Sequence, residues 1–388
     1  MPGPVCGIGP RGLCRGAALT LAFAGALATV SVTDPFSYTA KPPPPAARPA
    51  ARSVPADEAA RAAAQAVADG KSGKEAAREA VSRSGDRWGA VYGPAEYREF
   101  AQSLDGRYTG VGLWVEGAAD GRVQVARVQP GSPAAKAGLR RGDRLRSIDG
   151  TRVEGRPVTE VVALLRGGRE GDGAGTPVAL GLQRGTRVWT VTLRRATLAT
   201  QAVHVEHLAG GALLIRVASF TRGSGEQVRR AVRAAPEGKG VLLDLRGNPG
   251  GLVGEAVTAT SAFLDGGLVA TYDDRGRQRA LHARRGGDTA RPVVALVDGG
   301  TMSAAELAVG ALQDRGRALT VGSRTFGKGS VQKPSRLPDG SVAELTVGHY
   351  RTPAGHSLDG RGITPDLAVT QRARERAQSV LSGLQGGS

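Results

Sequence analysis

Val241-Leu-Leu-Asp-Leu-Arg-Gly-Asn-Pro-Gly-Gly-Leu252 is the stretch from which the architecture is read. Val241 to Leu245 is apolar except for Asp244 and shows no polar alternation, the pattern of a strand buried on both faces. It ends in a Gly-rich turn, and Leu252 to Leu264 follows with helical composition. A strand that runs through such a turn into a helix leaves backbone N–H groups free to face an anion or oxyanion, although ordinary strand-to-helix turns share the pattern. Outward from here the alternation continues. Leu213 to Val217 reads as strand, Gly225 to Ala235 as helix, Val293 to Val297 as strand and Ala304 to Gln313 as helix. Strands and helices in alternation specify a layered α/β domain. After the turn Pro338-Asp339-Gly340 the chain returns to strand from Val342 to Tyr350.

The pattern differs on the N-terminal side. Between Tyr108 and Ala196, short strands (Val111 to Val115, Val123 to Val128, Arg187 to Leu193) surround two short helices. Ser132 suits the cap of the first, Pro133 its first turn and Gly138 its end. The second runs from Val158 to Arg166 and stops at Gly167-Gly168. Further upstream, Asp57 to Ser82 is rich in Ala, Glu and Arg and favours helix, interrupted near Gly70 to Gly73. A further helix is expected from Pro94 to Ser103. Lys41-Pro-Pro-Pro-Pro-Ala-Ala-Arg-Pro49 favours extended polyproline, a semi-rigid spacer.

At the start, Arg11 and Arg15 precede an apolar run from Gly16 to Val32 with small residues at Ala26 and Ala28, the composition of an export signal. Cleaved signal peptide and retained membrane anchor both fit a run of this length. The expected division is therefore 1–32 signal or anchor, 33–56 linker, 57–105 helical region, 106–196 β-rich domain, 197–372 α/β core and 373–388 tail. The two cysteines, Cys6 and Cys14, fall within the first segment, so no thiol chemistry is available to the exported part.

A formal net charge of +17 over 388 residues raises the question of nucleic acid. The Arg residues are scattered, no basic run reaches six, and aromatic residues make up only 4% of the chain, too few for a stacking platform. Attraction to anionic lipid or cell-wall polymer remains compatible with the charge.

Two further stretches carry candidate chemistry, Gly299-Gly-Thr-Met-Ser-Ala-Ala-Glu306 and Thr325-Phe-Gly-Lys-Gly-Ser330. Ser303 begins a helix, and with Glu306 forms the S-x-x-E capping pattern, so its hydroxyl has a capping role available as well as a catalytic one. A strand ending near Asp298 would deliver that hydroxyl to a helix N-terminus, where negative charge is favoured. Lys328 lies between two glycines in a chain with 45 Arg and only seven Lys. A desolvated lysine can become a neutral amine that takes a hydroxyl proton; a guanidinium cannot.

Competing readings exist. Gly322-Ser-Arg-Thr-Phe-Gly-Lys-Gly329 is one residue from a phosphate-binding loop, with Gly329 in place of Ser or Thr and extended chain where a helix should open. A Ser-His-Asp triad using His349 or His356 with Asp359 is a second rival. His204 and His207 lie in a strand-like stretch without a metal-binding pattern.

Together these motifs resemble the C-terminal processing, or tail-specific, peptidases, over Asp86 to Val369. Asp86-Arg-Trp-Gly-Ala-Val-Tyr-Gly-Pro-Ala-Glu-Tyr-Arg-Glu-Phe100 is similar to the family's N-terminal segment, and Tyr108-Thr-Gly-Val-Gly-Leu113 to the start of its PDZ domain. Pro130-Gly-Ser-Pro-Ala-Ala-Lys-Ala-Gly-Leu139 and Arg141-Gly-Asp-Arg-Leu-Arg-Ser-Ile-Asp-Gly150 resemble the PDZ signature. The catalytic strings, with Thr352-Pro-Ala-Gly355 and Gly360-Arg-Gly-Ile-Thr-Pro-Asp366, agree in order and spacing.

The resemblance implies a multidomain α/β fold: an N-terminal helical segment, a PDZ-like β-rich domain and a layered peptidase core of the Clp-protease/crotonase-like kind. It implies Ser303 as nucleophile, Lys328 as general base, Gln332 as the residue orienting the lysine, and oxyanion donors at Ala304 and at Gly250 or Gly251. Gly110, Val111, Gly112 and Leu113 would hold a substrate's terminal carboxylate, and Arg166 would sense tail binding. The implied partners are protein or peptide substrates with free C-termini, without nucleic acid. Proximity to the membrane, an extracytoplasmic location and homo-oligomerisation go with it, and neither metal nor organic cofactor is required. One departure stands out: the family writes G-S-A-S-A-S-E where this chain has Gly300-Thr-Met-Ser-Ala-Ala-Glu306, which alters the nucleophile's surroundings. A catalytically silent PDZ scaffold and a nucleotide-binding protein using the 322–329 loop are the alternative functions.

Overall fold

The computed structural model describes residues 56–118, 120–167, 173–274 and 277–386. The export segment, both cysteines and all but the last residue of the linker lie outside the described residues. The described residues form two compact units, one of residues 109–196 and the other of residues 56–108 together with 197–386.

In the larger unit a six-stranded sheet runs in the order Val203–His207, Leu213–Val217, Val241–Asp244, Val293–Val297, Leu319–Gly322 and Leu367–Ala368. All neighbours are parallel except the first pair. Every residue of Val241–Asp244 and Val293–Val297 is buried, because both faces are covered. Val241, Leu243, Val293, Ala295 and Val297 pack on one face with the helices Ser224–Ala234, Val253–Thr260 and Ala304–Asp314. Leu214, Leu242, Val294, Leu296 and Val321 pack on the other with Ala377 and Leu381. Those last two belong to the helix Ala373–Gly386, so the segment set apart as a C-terminal tail is a covering layer of the core.

A second sheet of the same unit joins Ala90–Tyr92, Val342–Arg351, Leu268–Asp274 and Arg277–His282 in that order, with Ser330–Arg336 also paired to Val342–Arg351. The N-terminal helices form as the composition predicts, Ala56–Ala68 and Gly73–Arg83 broken at Gly70–Ser72, then Pro94–Leu104. They are not a separate layer of the chain. Ala59, Ala63, Ala77 and Val81 pack against Leu337, Ala343 and Leu345, and Ala90–Tyr92 adds a strand that sequence alone does not reveal.

The smaller unit is a six-stranded antiparallel sheet of Leu113–Gly117, Val123–Val128, Arg144–Ile148, Thr151–Arg152, Pro177–Arg184 and Arg187–Arg194. The helices Pro133–Lys136 and Val158–Arg166 accompany it. Ser132 Oγ accepts the Ala135 N–H and Pro133 opens the first helix, as read from sequence. Alternate residues Val178, Leu180 and Leu182 point into a core with Val123, Leu145, Ile148, Val161 and Leu165.

Candidate active site

Ser303 stands where the turn after Val293–Val297 enters Ala304–Asp314, with φ 53° and ψ −119°. This is a strained conformation for a residue with a side chain. The turn is tied down on all sides. Asp298 Oδ1 accepts the N–H groups of Gly300 (2.9 Å) and Gly247 (2.8 Å), Thr301 Oγ1 donates to Leu245 O (2.9 Å), and Met302 N–H donates to Asn248 O (2.9 Å). Those bonds join the turn of residues 298–302 to the Gly-rich turn after Val241–Asp244, so the two parallel strands bring both glycine-rich stretches to one point.

Gly250 is required there by proximity. A Cβ at this position would lie 3.0 Å from Ala304 N, Met302 O and Ser303 Cβ. Its own N–H is committed, donating to Asn248 Oδ1 (2.8 Å), while Asn248 Nδ2 donates to Val217 O (2.9 Å). Gly250 is therefore removed from the expected oxyanion donors, because a buried side chain already holds its hydrogen. The N–H groups of Gly251 and Ala304 have no acceptor among the described residues. Ala304 owes this to its place in the first helical turn, where no carbonyl lies four residues back.

Glu306 is fully buried, and its carboxylate accepts four hydrogen bonds. Oε2 takes the backbone N–H groups of Ser303 (2.9 Å) and Lys328 (2.8 Å); Oε1 takes the Gly327 N–H (2.7 Å) and the Thr325 hydroxyl (2.6 Å). One side chain thus fixes Ser303 and Lys328 to each other through their backbones. The capping pattern in the sequence indicated the first of these bonds only. The same geometry excludes a phosphate loop: the Gly327 and Lys328 N–H groups are spent on a carboxylate, and residues 330–336 are strand. The nucleotide-binding alternative is thereby withdrawn. Gly329 lies so close to the Asp359 backbone that a Cβ would collide with it, which explains why glycine flanks the lysine.

Lys328 Nζ lies 5.1 Å from the centroid of the Trp88 ring. Burial pulls its pKa below the ordinary lysine value, against the opposing influence of the Glu344 and Asp86 carboxylates. Burial likewise raises the pKa of Glu344, with Lys328 acting in the other direction. Both groups lean toward their neutral forms because both are poorly solvated. Gln332 donates to Ser330 Oγ (2.7 Å) and Thr346 Oγ1 (3.3 Å), and none of the hydrogen bonds of the described residues joins it to Lys328. Nor does one join Ser303 Oγ to Lys328 or to a histidine. His349 Nδ1 lies 3.5 Å from Asp359, a pair the triad reading requires, and His356 Nδ1 lies 3.6 Å from Asp314.

In the smaller unit, the N–H groups of Val111 and Gly112 have no backbone acceptor among the described residues, whereas their carbonyls accept from Ala134 (3.0 Å) and Gln129 (2.9 Å). Gly110 ends the strand Arg107–Gly110 and Leu113 begins the next. Arg166 occupies the last turn of Val158–Arg166.

Residues 211–369 match the model of peptidase family S41, and residues 124–172 match a PDZ domain. A solved photosystem II D1 C-terminal processing protease is 30% identical, with a TM-score of 0.50 over 77% of this chain and 82% of that one. The chain belongs to peptidase family S41. Among curated S41 relatives, the carboxy-terminal processing protease CtpA of Bacillus subtilis is 33% identical over 70% of this chain and 58% of its own. The carboxyl-terminal-processing protease of Synechocystis is 34% identical over 72% and 66%. The chain thus spans between about three fifths and two thirds of those relatives' length. A putative S41 protease from Bacteroides fragilis, 18% identical with a TM-score of 0.51 over 78% of this chain and 87% of that one, shares the fold. The S41 match falls in the larger unit and the PDZ match in the smaller. The N-terminal segment containing Trp88 and Asp86 lies outside both matched ranges.

Proposed function

We propose that this chain is an exported serine endopeptidase that reads substrate C-termini with its PDZ domain and cuts peptide bonds through a Ser303/Lys328 dyad. The observation that carries this reading is the Glu306 carboxylate accepting the N–H groups of both Ser303 and Lys328, which ties the backbones of the two residues to one another. Neutral Lys328 takes the Ser303 proton as Oγ attacks the substrate carbonyl. The N–H groups of Ala304 and Gly251 receive the oxyanion, and the lysine ammonium returns the proton to the leaving amine. Water, deprotonated by the same lysine, then releases the acyl group. Gln332 would support the lysine through Ser330 and Thr346.

The Val111 and Gly112 N–H groups, with Gly110 and Leu113, are the proposed carboxylate cradle, an extended substrate tail adding a strand beside Leu113–Gly117. Arg166 is the proposed sensor of that binding. Export by the N-terminal segment, proximity to the membrane and homo-oligomerisation complete the reading. The direct test is reaction with a serine-directed acylating inhibitor: intact-mass and peptide mapping should find the adduct on Ser303 alone. An adduct elsewhere, or peptide cleavage that survives in Ser303→Ala, would refute the dyad.

A further inference from the structure

Trp88 stands apart from both ranges matched by known domains, yet its ring meets the loop that carries Lys328 on either side of Gly327. Phe326 approaches it edge-on, with centroids 5.7 Å apart and planes at 60°, and Lys328 Nζ lies over it at 5.1 Å. The backbone that carries the indole is held in place. Asp86, itself buried, accepts the N–H groups of Trp88 (3.1 Å) and Gly89 (2.9 Å) and both the N–H (2.9 Å) and hydroxyl (2.7 Å) of Thr346. Two residues on, Ala90–Tyr92 pairs with Val342–Arg351. A turn of four residues is therefore bolted to the core by a buried carboxylate and a strand, with its aromatic side chain over the amine.

We propose that Trp88 is a positioning residue for the general base: its ring is the wall that keeps water from Lys328 Nζ and so holds the amine in its neutral form. The inference rests on the dyad reading and adds to it a part of the active site contributed from outside the matched peptidase segment. Two effects of the ring oppose each other. Excluding water favours the neutral amine, whereas the π face attracts the ammonium. Desolvation is the larger, since burial shifts lysines by up to several pKa units whereas attraction to a ring face is worth about one unit. The charged and titratable groups facing the site are Glu344 on Val342–Arg351, Asp86, and Arg87, whose guanidinium lies 4.7 Å from the same ring. Glu306 meets the lysine backbone from Ala304–Asp314, and Asp359, beside His349, accepts the Gly329 N–H.

The test uses the exported enzyme with isotope-labelled lysine, of which the whole chain has seven, in a Ser303→Ala background, with Lys328 assigned by its loss in Lys328→Met. Trp88→Ala should raise the Lys328 pKa by about one unit or more, and Trp88→Phe, which restores an apolar face, should raise it less. In the active enzyme the acid limb of kcat/KM should move alkaline by the same amount, so that Trp88→Ala loses about tenfold per unit at neutral pH and recovers at high pH. Trp88→Gln keeps bulk while wetting the amine; it should shift the same way and serves if the alanine variant unfolds. An unchanged or lowered Lys328 pKa, or a loss of activity uniform across pH, overturns the proposal. Should Lys328→Arg remain active, the dyad falls instead, and the lysine titration still reports on Trp88 by itself.

Discussion

Ser303 is held at φ 53° by bonds to its neighbours rather than by its own preference, and the strain has a readable cost. Ser303→Ala should abolish cleavage while the protein stays folded. Ser303→Gly, equally inactive, should be more stable than the alanine variant by about 1 kcal/mol, since glycine accepts the conformation freely; thermal unfolding compares the two. Glu306 offers a sharper case, because its four donors leave no place for an amide hydrogen. Glu306→Gln should destabilise the protein by about 3 kcal/mol, the scale of hydrogen bonds to a buried charge. Through misplacement of Ser303 against Lys328 it should lower kcat on the order of 100-fold, measured with KM under saturating peptide. For Lys328 the sign is set by burial: activity should rise with pH through a pKa below the free value of about 10.4. Lys328→Arg should be inactive, and His349→Gln and His356→Gln should keep the pH profile. The same lowered pKa means that the unfolded chain binds the extra proton between the two values. Stability should therefore climb with pH across that window and lose that slope in Lys328→Met.

At the level of elements, the site depends on what encloses it. The helix Ala304–Asp314 is buried along nearly its whole length because sheet and neighbouring helices cover it together, which keeps its N-terminus fixed in front of the Gly-rich turn. The opposite face of that sheet is closed by Ala373–Gly386, whose Leu381 is 2% exposed. Leu381→Ala should cost about 2–5 kcal/mol, the range for a leucine removed from a packed core, and denaturant unfolding measures it. A dispensable tail would give no change. The sequence of this helix mixes Arg, Gln, Ser and Gly with few apolar residues, so its role could be recognised only after the sheet showed an uncovered face.

For the whole molecule, the two units divide labour under the proposed reading, one binding tails and the other cutting. Arg166→Ala should lower cleavage of tailed substrates several-fold with little change in peptide binding to the PDZ domain; fluorescence titration and mass spectrometry of unstructured proteins differing in their last residues separate the two effects. Equal cleavage by both enzymes would remove Arg166 from the coupling.

The alternation of apolar strands and helices, the punctuation at Ser132, Pro133 and Gly167, and the glycines around Lys328 were legible in the chain because each is a local requirement. Burial period, helix capping and close backbone approach leave their marks within a few residues. The family followed from such local strings. What tertiary structure alone decided are the relations between distant segments. Asp86 reaches Thr346, the Trp88 ring meets Lys328, Glu306 gathers donors from 303 to 328, and Asn248 reaches Val217. No local pattern encodes these contacts, since a buried carboxylate finds its donors, and an amine its wall, only when strands remote in sequence are brought side by side.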